Sequence, residues 1–242
     1  MMSLLDALAA SPDPASLKQL AAATELHPST AHRILAAMTA ARFVERQDAG
    51  TYRLGIRLLE LGSIVKSRIS LREVALPYMQ ELHERIGEAI NLGARHDDEI
   101  VYLERTSSGR ALVRVVYLVG GRAPLHLTSL GKLFLAADGP QKIRDYAKRT
   151  GLPGKTPKSL TNLAALEKEL DKVRRHGIAY DDEEAELGLK CVAAPIHDED
   201  GKVIAALSVS APADRHDPEW ADLVRQTADA VSGALGYTGK QK

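Results

Sequence analysis

Apolar residues over positions 1–40 recur three and four apart, in blocks cut short by turn formers, and this predicts short amphipathic helices. Leu4, Leu5 and Leu8 share a face in Met2–Ala10, which Ser11-Pro12-Asp13-Pro14 ends. Ser16 stands as an N-cap for Leu17–Thr24, where Leu17, Leu20 and Ala21 repeat at helical spacing. Pro28, suited to a first helical position, opens a third block reaching Ala41, with Ala31, Ile34, Leu35 and Met38 as its inward stripe. The pattern then switches to two strand-like runs, Phe43–Gln47 and Thr51–Leu54, joined by the turn tripeptide Asp48-Ala49-Gly50. Three short helices followed by a hairpin outline a winged helix-turn-helix over residues 1–55.

Ile56, Leu59, Ile64 and Val65 suit a connecting helix running to about Ile69, so residues 56–70 read as a linker. From 71 to 242 the character changes. A helix over Ser70–Ile86 leads into strands Ala89–Arg95 and Ile100–Arg105 around the turn His96-Asp97-Asp98-Glu99, then a third strand region Leu112–Val119. Helices follow at Ser129–Ala137, Gln141–Thr150 and Leu163–His176. Strands Leu189–His197 and Lys202–Ala211 flank the hairpin turn Asp198-Glu199-Asp200-Gly201. A closing helix starts at Asp217-Pro218, with Trp220, Leu223, Val224, Ala230 and Val231 on its apolar side. Hairpins mixed with helices, without βαβ alternation, make this an α+β protein built on an antiparallel sheet. The tail Gly239–Lys242 reads as disordered.

Composition narrows the function. With 242 residues, 45% hydrophobic and 26% charged, the chain is expected to fold. No charge-free stretch approaches the ~20 apolar residues of a membrane helix, and the N-terminus lacks the basic leader of a signal peptide, so the expected location is the cytoplasm. The single cysteine, Cys191, excludes an internal disulfide framework and a multi-cysteine metal site. The 32 basic and 32 acidic residues balance, which argues against coating nucleic acid by bulk charge. The balance is local, however. Residues 27–57 hold Arg33, Arg42, Arg46, Arg53 and Arg57 against only Glu45 and Asp48.

That excess falls on the segment that would meet DNA. In Leu26–Leu35 the apolar residues face the bundle and leave Ser29, Thr30, His32 and Arg33 on the outer face of the third helix. The start of the second helix of such a motif enters the major groove, where Arg33 suits guanine or a phosphate, and Ser29 and Thr30 suit phosphate. Arg46 and Arg53 on the hairpin reach the neighbouring backbone or minor groove. The competing reading is an ordinary solvated helix in a protein-docking module.

At this point the chain resembles the IclR-type transcriptional regulators. The resemblance runs through Ser29-Thr30-Ala31-His32-Arg33-Ile34-Leu35, Tyr52-Arg53-Leu54-Gly55 and Leu58-Leu59-Glu60-Leu61-Gly62 in the first part. In the second it runs through Gly120–His126, Thr128-Ser129-Leu130-Gly131-Lys132, His176–Glu184 and Leu187–Ile196. Fewer residues precede the first helix (Met1-Met2-Ser3) than that family usually has. The resemblance implies a winged helix-turn-helix, a linker helix and a GAF-like effector domain, assembled as a homodimer or dimer of dimers on operator DNA. It also implies that Ser129, Leu130, Asp181, Leu189, Cys191, Ser208 and Ser210 contact a ligand, with Leu112 and Val115 as an apolar wall.

The strand periods support a pocket independently. Leu189 and Cys191 project to one face, Lys190 and Val192 to the other. Val203, Ala205, Leu207 and Val209 form one face, and Ile204, Ala206, Ser208 and Ser210 the other. Hydroxyls opposite an apolar face suit a small polar ligand, and backbone N–H groups of Ser129 and Leu130 at a helix start suit an anion, so a weak organic acid is the expected effector. Blander readings stand beside these. Asp181 with Glu184 fits a capping box for a short helix ending near Gly188. Cys191 fits an inert buried residue, and the two serines fit local hydrogen bonding.

An enzyme using Cys191 and a histidine is the main rival, but no HExxH or HxH spacing occurs, and mid-strand Cys191 has only outward-facing Lys190 beside it to lower its pKa. Five carboxylates within Asp181–Glu186 read as a solvated acidic loop rather than a metal site. No cofactor, metal or catalytic residue is expected.

Overall fold

The structure is a computed structural model that describes residues 2–11, 14–47, 50–66, 70–106 and 118–239. It divides into two compact units, Met1–Ile69 and Ser70–Lys242.

In the first unit, helices α1 (Met2–Ala10), α2 (Leu17–Ala23) and α3 (Pro28–Ala40) pack with a three-stranded antiparallel sheet of β1 (Ala15–Ser16), β2 (Val44–Arg46) and β3 (Thr51–Leu54), in the order β1-β3-β2. A full capping box opens α2: Ser16 Oγ accepts from Gln19 N at 3.3 Å, and Gln19 Oε1 accepts from Ser16 N at 2.8 Å. Pro28 occupies the first turn of α3, where its missing N–H has no intrahelical role. Leu4, Leu8, Leu20, Leu35, Met38, Val44 and Tyr52 form the core, and Ile34 packs at its edge. The two-residue strand β1, which pairs Ala15 with Tyr52, is too short for alternation to announce. Helix α4 (Ile56–Lys66) closes the unit. Residues 67–69 of the expected linker helix, and Asp48 and Ala49 of the expected turn, lie outside the described residues.

The second unit is a six-stranded antiparallel sheet ordered β6-β5-β4-β9-β8-β7. Its strands are β4 (Ala89–His96), β5 (Glu99–Thr106), β6 (Arg122–Pro124), β7 (Ala179–Asp182), β8 (Leu189–His197) and β9 (Val203–Pro212). Helices α5 (Leu71–Ile86) and α9 (Trp220–Ala234) cover one face through Met79, Leu82, Val224 and Val231 against Ile90, Val192, Leu207 and Val209. Helices α6 (Ser129–Ala137), α7 (Pro140–Thr150) and α8 (Leu163–His176) belong to the core on the other face, with Leu130, Leu133, Ile143, Tyr146, Leu166 and Leu170 beside Ala193 and Ala206. Helix α6 has no solvent side over its first seven residues, all buried. Gly131 makes this possible: a Cβ there would lie 2.3 Å from the Leu125 backbone in the preceding 3₁₀ turn, Leu125–Leu127.

Four expectations need correction. Leu118 and Val119 lie in a bend and a turn, not a strand, and residues 112–117 lie outside the described ones. The strand that pairs with β5 is instead β6. Val203 and Ile204 exchange faces, Val203 joining the α6 side and Ile204 the α5/α9 side. A register shift at Ile196/His197 is the cause, since it breaks the two-residue period there. Ala230 is exposed, while Ala228 takes the buried place on α9. No helix forms after Asp181: the chain runs through β7 and a set of bends. Residues 240–242 of the tail lie outside the described residues. Among those described, no helix is long and apolar enough to cross a membrane.

Candidate functional site

Two sites emerge, one in each unit. On α3, Ser29, His32 and Arg33 are exposed and Thr30 is partly so, while Ala31 and Leu35 are fully buried beneath them. His27 caps the helix. Its Nδ1 accepts from the Ser29 backbone N at 3.4 Å and lies 2.8 Å from Ser29 Oγ, fixing that hydroxyl at the positive end of the helix. The hairpin β2–β3 holds Arg46 and Arg53, both exposed.

The local cationic excess is partly spent on ion pairs. Arg53 meets Glu45 Oε2 through Nε (2.9 Å) and a terminal nitrogen (2.7 Å). Arg42 and Arg57 both reach Glu60, at 2.5 and 2.8 Å. These guanidinium groups hold the Glu45 and Glu60 carboxyls below the usual range, chiefly by hydrogen bonding. Arg33 and Arg46 have no ion pair among the described residues, so they are the cations most available to a phosphate or base.

In the second unit, pairing lines up the expected ligand residues in two rows. One row runs Asp181–Cys191–Ser210–Ala89 across β7, β8, β9 and β4. The other runs Ala179–Ala193–Ser208–Asn91. Cys191 Sγ lies 3.1 Å from Ser210 Oγ. Asn91 Nδ2 donates to Ser210 Oγ at 3.0 Å and to Ser208 Oγ at 3.4 Å. Leu189 is half-buried, packed on the α6-side core. Ser129 and Leu130, both buried, form the first turn of α6. There Thr128 Oγ1 takes the Gly131 N–H at 3.0 Å, while the Ser129 and Leu130 N–H groups have no intrahelical acceptor. Leu130 also meets this face directly, since a Cβ on Gly93 of β4 would come within 3.0 Å of its Cδ1. A small cavity of about 240 Å³ opens beside Cys191 and Asp181, lined also by Tyr180, Asp182, Lys190 and His216. Leu112 and Val115 lie outside the described residues.

The acidic stretch is not a solvated loop. Asp181 is 1% exposed, and its Oδ1 accepts from Glu184 N (2.8 Å) and Ala185 N (3.3 Å) in a cap-like turn without a helix. Glu184 turns away from the reciprocal capping role. Its Oε1 instead accepts from Lys132 Nζ at 2.5 Å, and that lysine, fully buried, also donates to the Tyr180 carbonyl at 2.8 Å. Thr156 and Ser159 donate to the Glu183 and Glu184 carbonyls, each at 2.7 Å, and pin the stretch down. Burial pushes the Asp181 carboxyl up to about 7. Burial, reinforced by the Asp181 charge, also pushes the Cys191 thiol up, the opposite of what a nucleophile needs. His126 is buried between the Tyr146 hydroxyl (2.7 Å) and the Pro153 carbonyl (3.1 Å), and burial lowers its pKa. Among the described residues no group of three metal-ligating side chains converges.

Asn91, Lys132 and Glu184 escape the reading of individual strands and helices. A signal exists for the first two. Asn91 is a polar residue inside an apolar strand run, and Lys132 is the one charge in the apolar block Leu130–Leu135.

Comparison with known proteins places the chain in a family. The model of the IclR helix-turn-helix domain matches residues 1–48, and that of the bacterial transcriptional regulator IclR C-terminal domain matches residues 64–233. The HTH-type transcriptional repressor AllR of Klebsiella pneumoniae is 31% identical, over 97% of this chain and 88% of its own. The crystal structure of the Agobacterium tumefaciens repressor BlcR superposes with a TM-score of 0.86 at 28% identity, covering 98% of this chain and 95% of that one. An IclR homolog from Microbacterium hydrocarbonoxydans, solved in complex with 4-hydroxybenzoate, matches with a TM-score of 0.64 at 31% identity, covering 97% and 96%.

Proposed function

The chain belongs to the IclR family of DNA-binding transcriptional regulators, and from that premise we propose that it is a repressor whose hold on operator DNA is controlled by a small organic acid. Residues 1–55 bind DNA, 56–70 serve as the linker, and 71–242 sense the effector, in a homodimer or dimer of dimers. Ser29, Thr30, His32 and Arg33 meet the major groove, and Arg46 and Arg53 the flanking backbone. Ser129, Leu130, Asp181, Leu189, Cys191, Ser208 and Ser210 contact the effector, with Leu112 and Val115 completing its wall.

The observation that carries the effector reading is the convergence on one sheet face of hydrogen-bonding groups from four separate segments. Asn91, Cys191, Ser208 and Ser210 are linked within 3.4 Å on that face, beside the first turn of α6, where the Ser129 and Leu130 N–H groups have no intrahelical acceptor and the positive dipole end favours a carboxylate. The 4-hydroxybenzoate carried by the Microbacterium relative is an acid of this kind. Control requires the acid to bind one arrangement of the protein better than another, since equal affinity for both would switch nothing.

Footprinting on the DNA upstream of the protein's own gene tests the proposal, with and without a panel of small carboxylates that includes 4-hydroxybenzoate. Protection relieved by one of the acids is the expected result. No protected site overturns the operator reading, and protection indifferent to every acid overturns the effector reading.

A further inference from the structure

Asn91 sits in the middle of β4 with 1% of its surface exposed, directly paired with Ser208 of β9. Its side chain bonds through the amide nitrogen, which donates to Ser210 Oγ and Ser208 Oγ. The amide oxygen is buried and has no hydrogen-bond partner. A buried carbonyl oxygen left bare forfeits the hydrogen bonds that water would give it, so such an atom inside a ligand site calls for a donor. Ser208 accepts from Asn91 and retains its own hydroxyl proton to give away. The face therefore offers one unfilled acceptor next to one available donor, the complement of an alcohol.

An ionised carboxylate carries acceptors only and cannot fill the Asn91 oxygen. Its place is the N-terminal turn of α6. The missing donor has to come from elsewhere on the ligand. An ammonium group fits poorly beside the positive end of α6. A neutral hydroxyl is the group that matches. Resting on the carboxylate-effector reading above, we infer that the effector is a hydroxy acid and that Asn91 is the residue that recognises its hydroxyl group, with Ser208 donating back to the same oxygen.

Isothermal titration of the full-length protein with matched pairs of acids tests this: glycolate against acetate, lactate against propionate, and 4-hydroxybenzoate against benzoate, with pyruvate and alanine as further probes. The expected result is a pair in which the hydroxylated member binds about ten- to a hundredfold more tightly, the range set by leaving a buried acceptor unfilled. In Asn91→Leu that preference disappears, the hydroxylated acid falling to the affinity of its partner. Equal binding within every pair overturns the inference while leaving the carboxylate reading intact. So does tighter binding of pyruvate or alanine than of lactate, or a preference that survives Asn91→Leu. Absence of binding by every acid overturns both. Should Asn91→Leu not fold by circular dichroism, the matched pairs on the unsubstituted protein decide the matter, and Ser208→Ala supplies the second variant, expected to reduce the preference.

Discussion

Lys132 and Glu184 form an ion pair of 2.5 Å in which the lysine side chain has no solvent exposure and the glutamate 9%. It ties α6, which carries the candidate anion-binding turn, to the bends that follow β7, 52 residues away in sequence. Removing one partner strands a buried charge, so Lys132→Met is expected to cost about 3–5 kcal/mol. Glu184→Leu combined with Lys132→Met should recover much of that loss. Urea unfolding of the single and double variants measures both. A double variant no more stable than Lys132→Met alone would contradict the account.

Burial raises the Asp181 carboxyl from 3.8 to about 7, which sets a direction for the pH dependence of folding. The folded protein holds this proton more tightly than the unfolded chain does. Between about pH 4 and pH 7 the folded state therefore binds the extra proton, and stability contributed by Asp181 falls as the pH rises through that window. Asp181→Asn keeps the oxygen that accepts from Glu184 and Ala185 and removes the ionisation. Thermal unfolding from pH 4 to pH 8 should show the variant losing less stability across this window than the parent, by an amount on the order of a few kcal/mol. Parallel curves would exclude Asp181 as the source.

The ion pair of Arg53 with Glu45 on the hairpin predicts a gain as well as a loss. Glu45→Gln frees Arg53 for the DNA backbone, and should tighten operator binding while steepening its salt dependence by up to about 0.9 in the log–log slope. Arg33→Ala removes a cation that has no ion pair among the described residues, and should weaken binding by about 1–3 kcal/mol if it reads a base. Fluorescence anisotropy on the footprinted fragment, at salt concentrations from 50 to about 200 mM, measures both slopes. A weaker complex from Glu45→Gln would contradict the assignment.

Gly131 inverts the usual rule for helices. Alanine is ordinarily better than glycine in a helix by about 1 kcal/mol. Here the added methyl would meet the Leu125 Cα and carbonyl oxygen at 2.3 Å, both backbone atoms with no rotamer to yield. Gly131→Ala is therefore expected to destabilise by about 1–3 kcal/mol or more, readable as a lowered Tm. A raised Tm would show that α6 is free to move away from the turn beneath it.

Elements with their own repeating pattern were legible in the sequence. Leu163–His176 and Leu189–His197 span the residues that periodicity indicates, and Ser16 and Pro28 open their helices as their chemistry requires. The strands β1, β6 and β7 were not, because two to four residues give no period to read and, unlike the equally short β2 and β3, they have no tight turn tripeptide of their own to announce them. The acidic stretch after β7 misled for a related reason. Charge density indicates solvent exposure, yet Lys132, Thr156 and Ser159, 25 to 52 residues away, bury and anchor it. Of the candidate effector site, Cys191, Ser208 and Ser210 follow from alternation within two neighbouring strands. Asn91 does not, since its partners lie 117 and 119 residues away, on a strand that only the sheet order makes its neighbour.

Among the described residues, the sheet of the second unit ends on its two shortest strands. Its edges are three-residue β6 and four-residue β7, while the four inner strands run eight to ten residues. An outer strand with unsatisfied backbone groups is a template on which another chain can add, and the hazard grows with its length. Here β6 contains Pro124, which has no N–H to offer, and β7 ends in the exposed carboxylate of Asp182. The same brevity that hid these strands from the sequence guards the protein against edge-to-edge aggregation. The ladders of β9 with β4 and with β8 lie inside the sheet, where they support the candidate site.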